Sequence, residues 1–134
     1  MTVKAILAKK GNKVISLRSE MTTQEVVELF ATYGIGAAPV IDGGRLVGIV
    51  SERDIVRTIA HEGASVLHRE VTDVMTRGVK TCTLSETADN VMCRMTEGRF
   101  RHMPVVDQGQ IVGMISIGDV VAARKWRATR ASKS

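Results

Sequence analysis

Aromatic side chains are nearly absent: two phenylalanines, one tyrosine and one tryptophan in 134 residues. A core therefore has to be assembled from aliphatic residues and the seven methionines, within a hydrophobic share of 44%. That scarcity argues against aromatic cages and against the stacking platforms used to bind single-stranded nucleic acid. Cysteine is equally sparse. Cys82 and Cys93 lack the paired spacing of a zinc site or a redox motif, so they read as buried free thiols of a reducing compartment. No stretch approaches the ~18 consecutive apolar residues of a membrane span, and the apolar run around Ile6 and Leu7 is too short for a secretory signal. A soluble, cytoplasmic protein is expected.

The net charge of +5 suggests nucleic acid until it is located. Residues 1–123 hold 14 basic and 14 acidic side chains, whereas the last 11 residues hold Arg124, Lys125, Arg127, Arg130 and Lys133 and no acid. The body is neutral and the tail carries the excess. Such a tail is either a solvated extension or a docking element for nucleic acid or an acidic partner. Trp126 within it packs back on the body or meets that partner.

What the chain does have is a repeat. Shifted by 65 residues, Val14–Val56 lies on Val79–Val121 without a gap, with 12 identities in 43 positions. Unrelated segments of ordinary composition would share roughly two or three. Pro39 meets Pro104, Gly48 meets Gly113, Ser51 meets Ser116 and Asp54 meets Asp119. The economical architecture is an α/β (α+β) pair of similar β-α-β-β-α half-domains, related by a pseudo-twofold axis, with a functional cleft between them. Each half, at about 60 residues, would be marginal alone. The division runs as 1–63 for the first copy, 64–78 for a linker, 79–124 for the second copy and 125–134 for the tail.

Within the first copy, Val14–Leu17 reads as a short strand. Thr22–Tyr33 reads as a helix that opens on the capping-box pair Thr22 and Glu25 and stops at Gly34. Ala38–Ile41 and Leu46–Val50 form a hairpin through Asp42-Gly43-Gly44, and a helix follows from Glu52 to about His61. The second copy repeats the order with Val79–Thr83, Thr87–Glu97, Met103–Val106, Gln110–Ile115 and a helix from Ile117 into the tail. A helical turn is expected at Val71–Met75, with Lys4–Leu7 as its counterpart before the first copy. Met92, Met95, Met103 and Met114 fall in the core or a pocket wall, and His61 and His68 in solvent.

The segments Gly48-Ile49-Val50-Ser51-Glu52-Arg53-Asp54 and Gly113-Met114-Ile115-Ser116-Ile117-Gly118-Asp119, with Gly36–Val40 and Arg101–Val105, resemble a tandem pair of cystathionine-beta-synthase (CBS) domains, a Bateman module. The resemblance covers roughly residues 3–124. It implies a regulatory module that binds an adenosine-containing ligand in the cleft, with AMP foremost and ADP, ATP or NAD(H) as alternatives. It also implies a homodimer that serves as an energy or redox sensor for a partner protein.

The candidate ligand residues have two readings each. Ser51 and Ser116 stand where a strand becomes a helix, so hydroxyl and free amides suit a phosphate or ribose oxygen. Asp54 and Asp119, three residues on, suit both hydroxyls of a ribose. Yet Ser-x-x-Asp is itself a capping box. Gly36, Ala37 and Pro39 would let a flat base approach the backbone, or simply make a tight turn. Residues 34–39 are not a dinucleotide fingerprint, because they follow a helix and enter a strand. The copies differ where Gly34, Gly36 and Ala37 align with Arg99, Arg101 and His102, and where Arg53 aligns with Gly118. The second copy, with Arg99, Arg101, His102, Met103, Pro104, Ser116 and Asp119, should therefore take the more anionic ligand. Arg53 would reach a phosphate from the other copy. By resemblance, the backbone of Ile15, Ser16, Lys80 and Thr81 frames the adenine. No nucleophile-base arrangement, HExxH or phosphate-binding P-loop is present, so neither catalysis nor a metal is expected.

Overall fold

The structure, a computed structural model, describes the backbone of residues 1–133 and the side chains of residues 1–126. In chain order it comprises α1 (Val3–Lys10), α2 (Thr23–Tyr33), β1 (Ala37–Asp42), β2 (Arg45–Ser51), α3 (Glu52–Glu62), 3₁₀ turns at Ala64–His68 and Val71–Asp73, α4 (Ala88–Gly98), β3 (His102–Asp107), β4 (Gln110–Ser116) and α5 (Ile117–Lys133). It is a mixed α+β fold with two two-stranded antiparallel sheets, β1-β2 and β3-β4. The basic side chains of Arg127, Arg130 and Lys133 lie outside the described residues.

Local chemistry explains the elements. The Glu25 amide donates to the Thr22 hydroxyl at 3.2 Å while the Thr22 amide donates to the Glu25 carboxylate at 3.1 Å, a complete capping box at the start of α2. Hydrogen bonds from Thr22, its backbone amide first, hold the Glu25 carboxyl below its ordinary pKa. Gly34 ends α2 in the left-handed conformation, φ 63°. Two-residue turns with positive φ close both hairpins, at Gly43-Gly44 and at Gln108-Gly109. The register slips at matching points, between Val40 and Ile41 and between Val105 and Val106.

The expected strands Val14–Leu17 and Val79–Thr83 shrink to single bridges, Leu17 with Val40 and Cys82 with Val105, both parallel. Each bridge lies beside the register slip of the neighbouring strand, where an extended ladder would lose its pairing. The helical turn expected at 71–75 is found as the 3₁₀ turn Val71–Asp73, and the turn at 64–68 joins it.

The chain forms two compact units: residues 15–79, and residues 1–14 together with residues 80 onward. The N-terminal segment thus belongs with the second copy, across the linear division expected from the repeat. In the first unit by sequence, Leu17, Val26, Phe30, Ala38, Val40, Val50, Ile55, Val66, Val71 and Val74 form the core. In the other, Val3, Ile6 and Leu7 of α1 join Val91, Met95, Met103, Val105, Ile115 and Val120.

The 3₁₀ segment plays for one unit the part that α1 plays for the other. The Thr23 amide donates to the Arg69 carbonyl at 2.8 Å and the equivalent Ala88 amide to the Met1 carbonyl at 2.8 Å. The Val71 amide donates to Met21 at 2.7 Å and the Val3 amide to the equivalent Glu86 at 2.9 Å. A Cβ on Gly48 would meet Met75, with its Cγ at 2.8 Å, and a Cβ on Gly113 would meet Leu7 Cδ1 at 2.7 Å. The motif glycines are therefore bare because an apolar side chain sits against each.

Cys82 is buried as expected, whereas Cys93 is exposed, since α4 turns Ala88, Val91 and Met95 inward and Cys93 outward. Met95 and Met103 are core residues, Met92 and Met114 are half-buried, and His61 and His68 are exposed.

Gly113→Val should destabilise the protein by about 1–3 kcal/mol through overpacking against Leu7. In urea unfolding, Leu7→Ala combined with it should recover part of that loss, and simple additivity would show that the contact does not matter. Burial, with the nearby Glu86 charge second, pushes the Cys82 thiol from 9.0 up to about 12. A group whose folded pKa is raised stabilises fully below its unfolded pKa and loses that contribution as pH rises towards the folded value. Stability should therefore fall between pH 9 and about pH 12, and Cys82→Ala should lack that component in alkaline melts.

Candidate functional site

In each unit the hairpin register gathers the candidate residues at one end. Ala37 lies opposite Ser51, and His102 lies opposite Ser116. The Gly36 carbonyl accepts from the Glu52 amide at 2.9 Å, and the Arg101 carbonyl from the equivalent Ile117 amide at 2.8 Å. This bond fixes the approach to the first strand against the start of the following helix. The parallel bridges bring in the third segment. Ile15 and Ser16 immediately precede the bridge of Leu17 to Val40, and Lys80 and Thr81 immediately precede the bridge of Cys82 to Val105. The Leu17 and Cys82 amides donate to the Pro39 and Pro104 carbonyls at 2.9 and 3.0 Å.

One cluster is thus Ile15, Ser16, Gly36, Ala37, Pro39, Ser51 and Asp54, with Arg53 exposed in the first turn of α3. The other is Lys80, Thr81, Arg101, His102, Met103, Pro104, Ser116 and Asp119. Ala37, Pro39, Met103 and Pro104 are buried, so they shape the floor of each cluster, and Ser16, Lys80, Arg99 and Arg101 are exposed. A Cβ on Gly36 would lie 2.8 Å from Glu52 Oε1. The second copy has Arg101 and Ile117 at those positions, exchanging a close carboxylate for a cation.

The capping reading of Ser-x-x-Asp is realised in both copies. The Asp54 amide donates to Ser51 Oγ at 3.1 Å, while the Ser51 amide and hydroxyl donate to Asp54 Oδ2 at 3.1 and 2.9 Å. The Asp119 amide donates to Ser116 Oγ at 3.1 Å and the Ser116 amide to Asp119 Oδ2 at 2.8 Å. Capping occupies one carboxylate oxygen. A carboxylate offers about four lone-pair sites, so the second oxygen keeps its capacity to accept hydroxyls.

Arg99 was expected as a ligand side chain, and it also ends α4. It sits in the left-handed region, φ 57° and ψ 41°, where its equivalent Gly34 has φ 63° and ψ 37°. A non-glycine residue there costs roughly 1–2 kcal/mol.

Lys10 escaped the sequence reading. Its Nζ donates to Asp119 Oδ2 at 2.6 Å and to the Met114 carbonyl at 2.9 Å. Lys10 lies outside the repeat, which begins at Val14. A signal was present nevertheless: the apolar pattern Val3, Ile6, Leu7 recurs as Val71, Val74, Met75 at an offset of 68, three residues longer than the repeat itself. In that alignment Lys10 falls on Gly78. Beside it, the Lys9 ammonium lies 4.1 Å from the centre of the Trp126 ring, so Trp126 packs back on α1.

Among the described residues no group of three or more His, Cys, Asp or Glu side chains is placed to hold a metal ion, and no helix is long and apolar enough to cross a membrane.

The comparisons agree with this architecture. Residues 3–61 and 71–125 match the CBS domain family. The solved CBS-domain containing protein from Agrobacterium tumefaciens is 41% identical, with a TM-score of 0.90 over 92% of this chain and 99% of that one. The CBS domain pair of protein MJ0100, solved in complex with 5′-methylthioadenosine and S-adenosyl-L-methionine, is 26% identical with a TM-score of 0.84, covering 95% of this chain and 98% of that one. The mitochondrial CBS domain-containing protein CBSX3 of Arabidopsis thaliana is 32% identical over 131 residues, and this chain, of which the match covers 91%, spans 64% of its length. Both repeats and their spacing are accounted for: the chain belongs to the CBS domain family and carries two CBS domains in tandem.

Proposed function

We propose that this chain is a regulatory module whose two copies bind adenosine-containing ligands, with Asp54 and Asp119 accepting the ribose hydroxyls. The observation that carries this is the likeness to the MJ0100 domain pair, which was solved with two adenosine derivatives. The geometry supports it. Each copy brings a small-residue or basic strand entry, an exposed backbone segment and a capped aspartate with one oxygen uncommitted to the cap to the same end of its hairpin. Ile15 and Ser16, or Lys80 and Thr81, would frame the base. Ser51 or Ser116 would hold the sugar or its 5′ substituent.

AMP is the first ligand to test, with ATP and NAD(H) next, because all share the adenosine that these residues would read. The role is regulatory: the ligand favours one of two conformations by its different affinity for them, and a partner protein reads the outcome. Val56 on α3 and its equivalent Val121 on α5 are 64% and 40% exposed, an apolar point on each aspartate-bearing helix that a homodimer would cover.

Thermal-shift and calorimetric titrations with AMP, ADP, ATP, NAD, NADH and 5′-methylthioadenosine test the assignment. At 100 times its dissociation constant a ligand should stabilise by about 2.7 kcal/mol. Asp54→Ala and Asp119→Ala should each remove one binding event, at a cost of about 1 kcal/mol from the weakened cap. Undiminished binding in both variants would refute the ribose assignment. Arg99→Gly separates folding from binding: it should raise stability by roughly 1 kcal/mol by relieving the left-handed backbone, while weakening phosphate-bearing ligands. A variant that gained stability and kept its nucleotide affinity would assign Arg99 no part in binding.

A further inference from the structure

We propose that Lys10 sets the ligand charge accepted at Asp119, so that this copy selects a phosphate-bearing adenosine while the Asp54 copy accepts uncharged ones; this rests on the ligand-binding assignment above. The two aspartates differ in what fills Oδ2. At Asp54 the second donor is the Ser51 hydroxyl, at 2.9 Å. At Asp119 it is the Lys10 ammonium, at 2.6 Å. Three consequences follow from that exchange.

First, the Asp119 carboxylate is paired with a fixed positive charge, whereas among the described residues Asp54 has no ion pair. Arg53 does not supply one, being exposed and without a bond to Asp54. Second, the Ser116 hydroxyl accepts from the Asp119 amide as Ser51 does from Asp54, but with Lys10 as the second donor on Oδ2 its own proton remains for a ligand. Third, an ammonium has three protons, and Lys10 uses two, on Asp119 and on the Met114 carbonyl. The Lys10 side chain is 35% exposed, so the third is reachable.

In the Asp54 unit none of this can arise. Gly78 stands where Lys10 would be, and the Ile49 carbonyl, equivalent to that of Met114, accepts from the Thr76 amide at 2.8 Å. An uncharged ligand at Asp119 would leave these donors to water, and a cationic one would be repelled. A phosphate near the ribose would take them up in charge-assisted hydrogen bonds.

The test uses the full chain carrying Asp54→Ala, so that calorimetry reads the Asp119 copy alone, with AMP and 5′-methylthioadenosine as probes that share adenosine and differ in charge. AMP should bind more tightly than 5′-methylthioadenosine. Lys10→Met, which keeps length and helix propensity, should lower that preference roughly tenfold, and Lys10→Arg should keep it. Added salt should erode the preference in the parent and leave the Lys10→Met variant nearly unmoved. In an Asp119→Ala background Lys10→Met should change neither affinity. If both ligands bind and Lys10→Met leaves their ratio unaltered, Lys10 has no selective role and ligand binding stands. If neither ligand binds the parent chain, the ligand-binding assignment itself fails, and this inference with it.

Discussion

The contact between Leu7 and Gly113, matched by Met75 against Gly48, is the constraint on which the rest of each unit depends. A side chain at either glycine would displace an apolar residue that closes the core. The segment supplying that residue must therefore lie across the hairpin's last strand, and its course determines what else reaches the site. In α1 the helix continues past Leu7 through Lys10, three residues on and on the same face. That places the Lys10 ammonium at the Met114 carbonyl and at Asp119. In the other unit the 3₁₀ turn ends at Asp73 and the chain turns once more, the Met75 amide donating to the Val71 carbonyl at 3.0 Å, so Met75 packs on Gly48 from a turn that does not continue as a helix. Thr76 then pairs with Ile49 through its backbone, and Gly78 adds nothing. One packing requirement, met by a continuing helix in one unit and by a short turn in the other, makes two similar sites chemically unequal.

How much of this was legible follows from the range of each signal. Capping boxes, glycine stops and hairpin turns are local, and the helices and hairpins they delimit were read within a residue or two: α2 from Thr22, α3 from Ser51, β1-β2 from Gly43-Gly44. The first strand of each copy was not, because Leu17 and Cys82 each contribute a single bridge, and one-residue pairing depends on a neighbour far away in sequence. Cys93 was placed inside although α4 turns it outward, since a lone cysteine carries no facing information until the apolar stripe of Ala88, Val91 and Met95 is used to orient the helix. The likeness of Lys4–Leu7 to Val71–Met75 does not say which copy each segment packs on, so the assignment of α1 to the second unit was not legible. The candidate ligand residues converge in two clusters because the repeat preserved hairpin register. Lys10 was missed because it lies outside the repeat.

Ser-x-x-Asp illustrates why a structural motif and a binding motif need not compete. The cap engages Oδ2 of each aspartate and fixes the carboxylate relative to the helix, so the remaining oxygen is presented in one orientation rather than several. Held this way, the group loses little freedom when it accepts a hydroxyl, and ordering cost is a large part of what weak polar contacts must overcome. The cap is thus a means of preparing the acceptor. The same logic applies to the bond from the start of each following helix to the Gly36 or Arg101 carbonyl, which ties the strand entry to the aspartate.

Strain separates the copies in a second way. Among the described residues the two non-glycine residues with positive φ, Arg99 and Gln108, belong to the second copy, and both stand where the first has glycine, Gly34 and Gly43. Each costs on the order of 1 kcal/mol. At Gln108 the residue sits in a hairpin turn at the far end of β3 from the candidate cluster, so strain alone is no mark of function. Arg99 differs because it lies two residues before Arg101 and three before His102, at the strand entry that the register sets opposite Ser116. A guanidinium there adds positive charge at that strand entry, and glycine would fold better but bring none. The unit carrying this strain also has the α1 attachments, with Lys10 on Asp119 and Lys9 over Trp126. That helix supplies the cation that distinguishes the site.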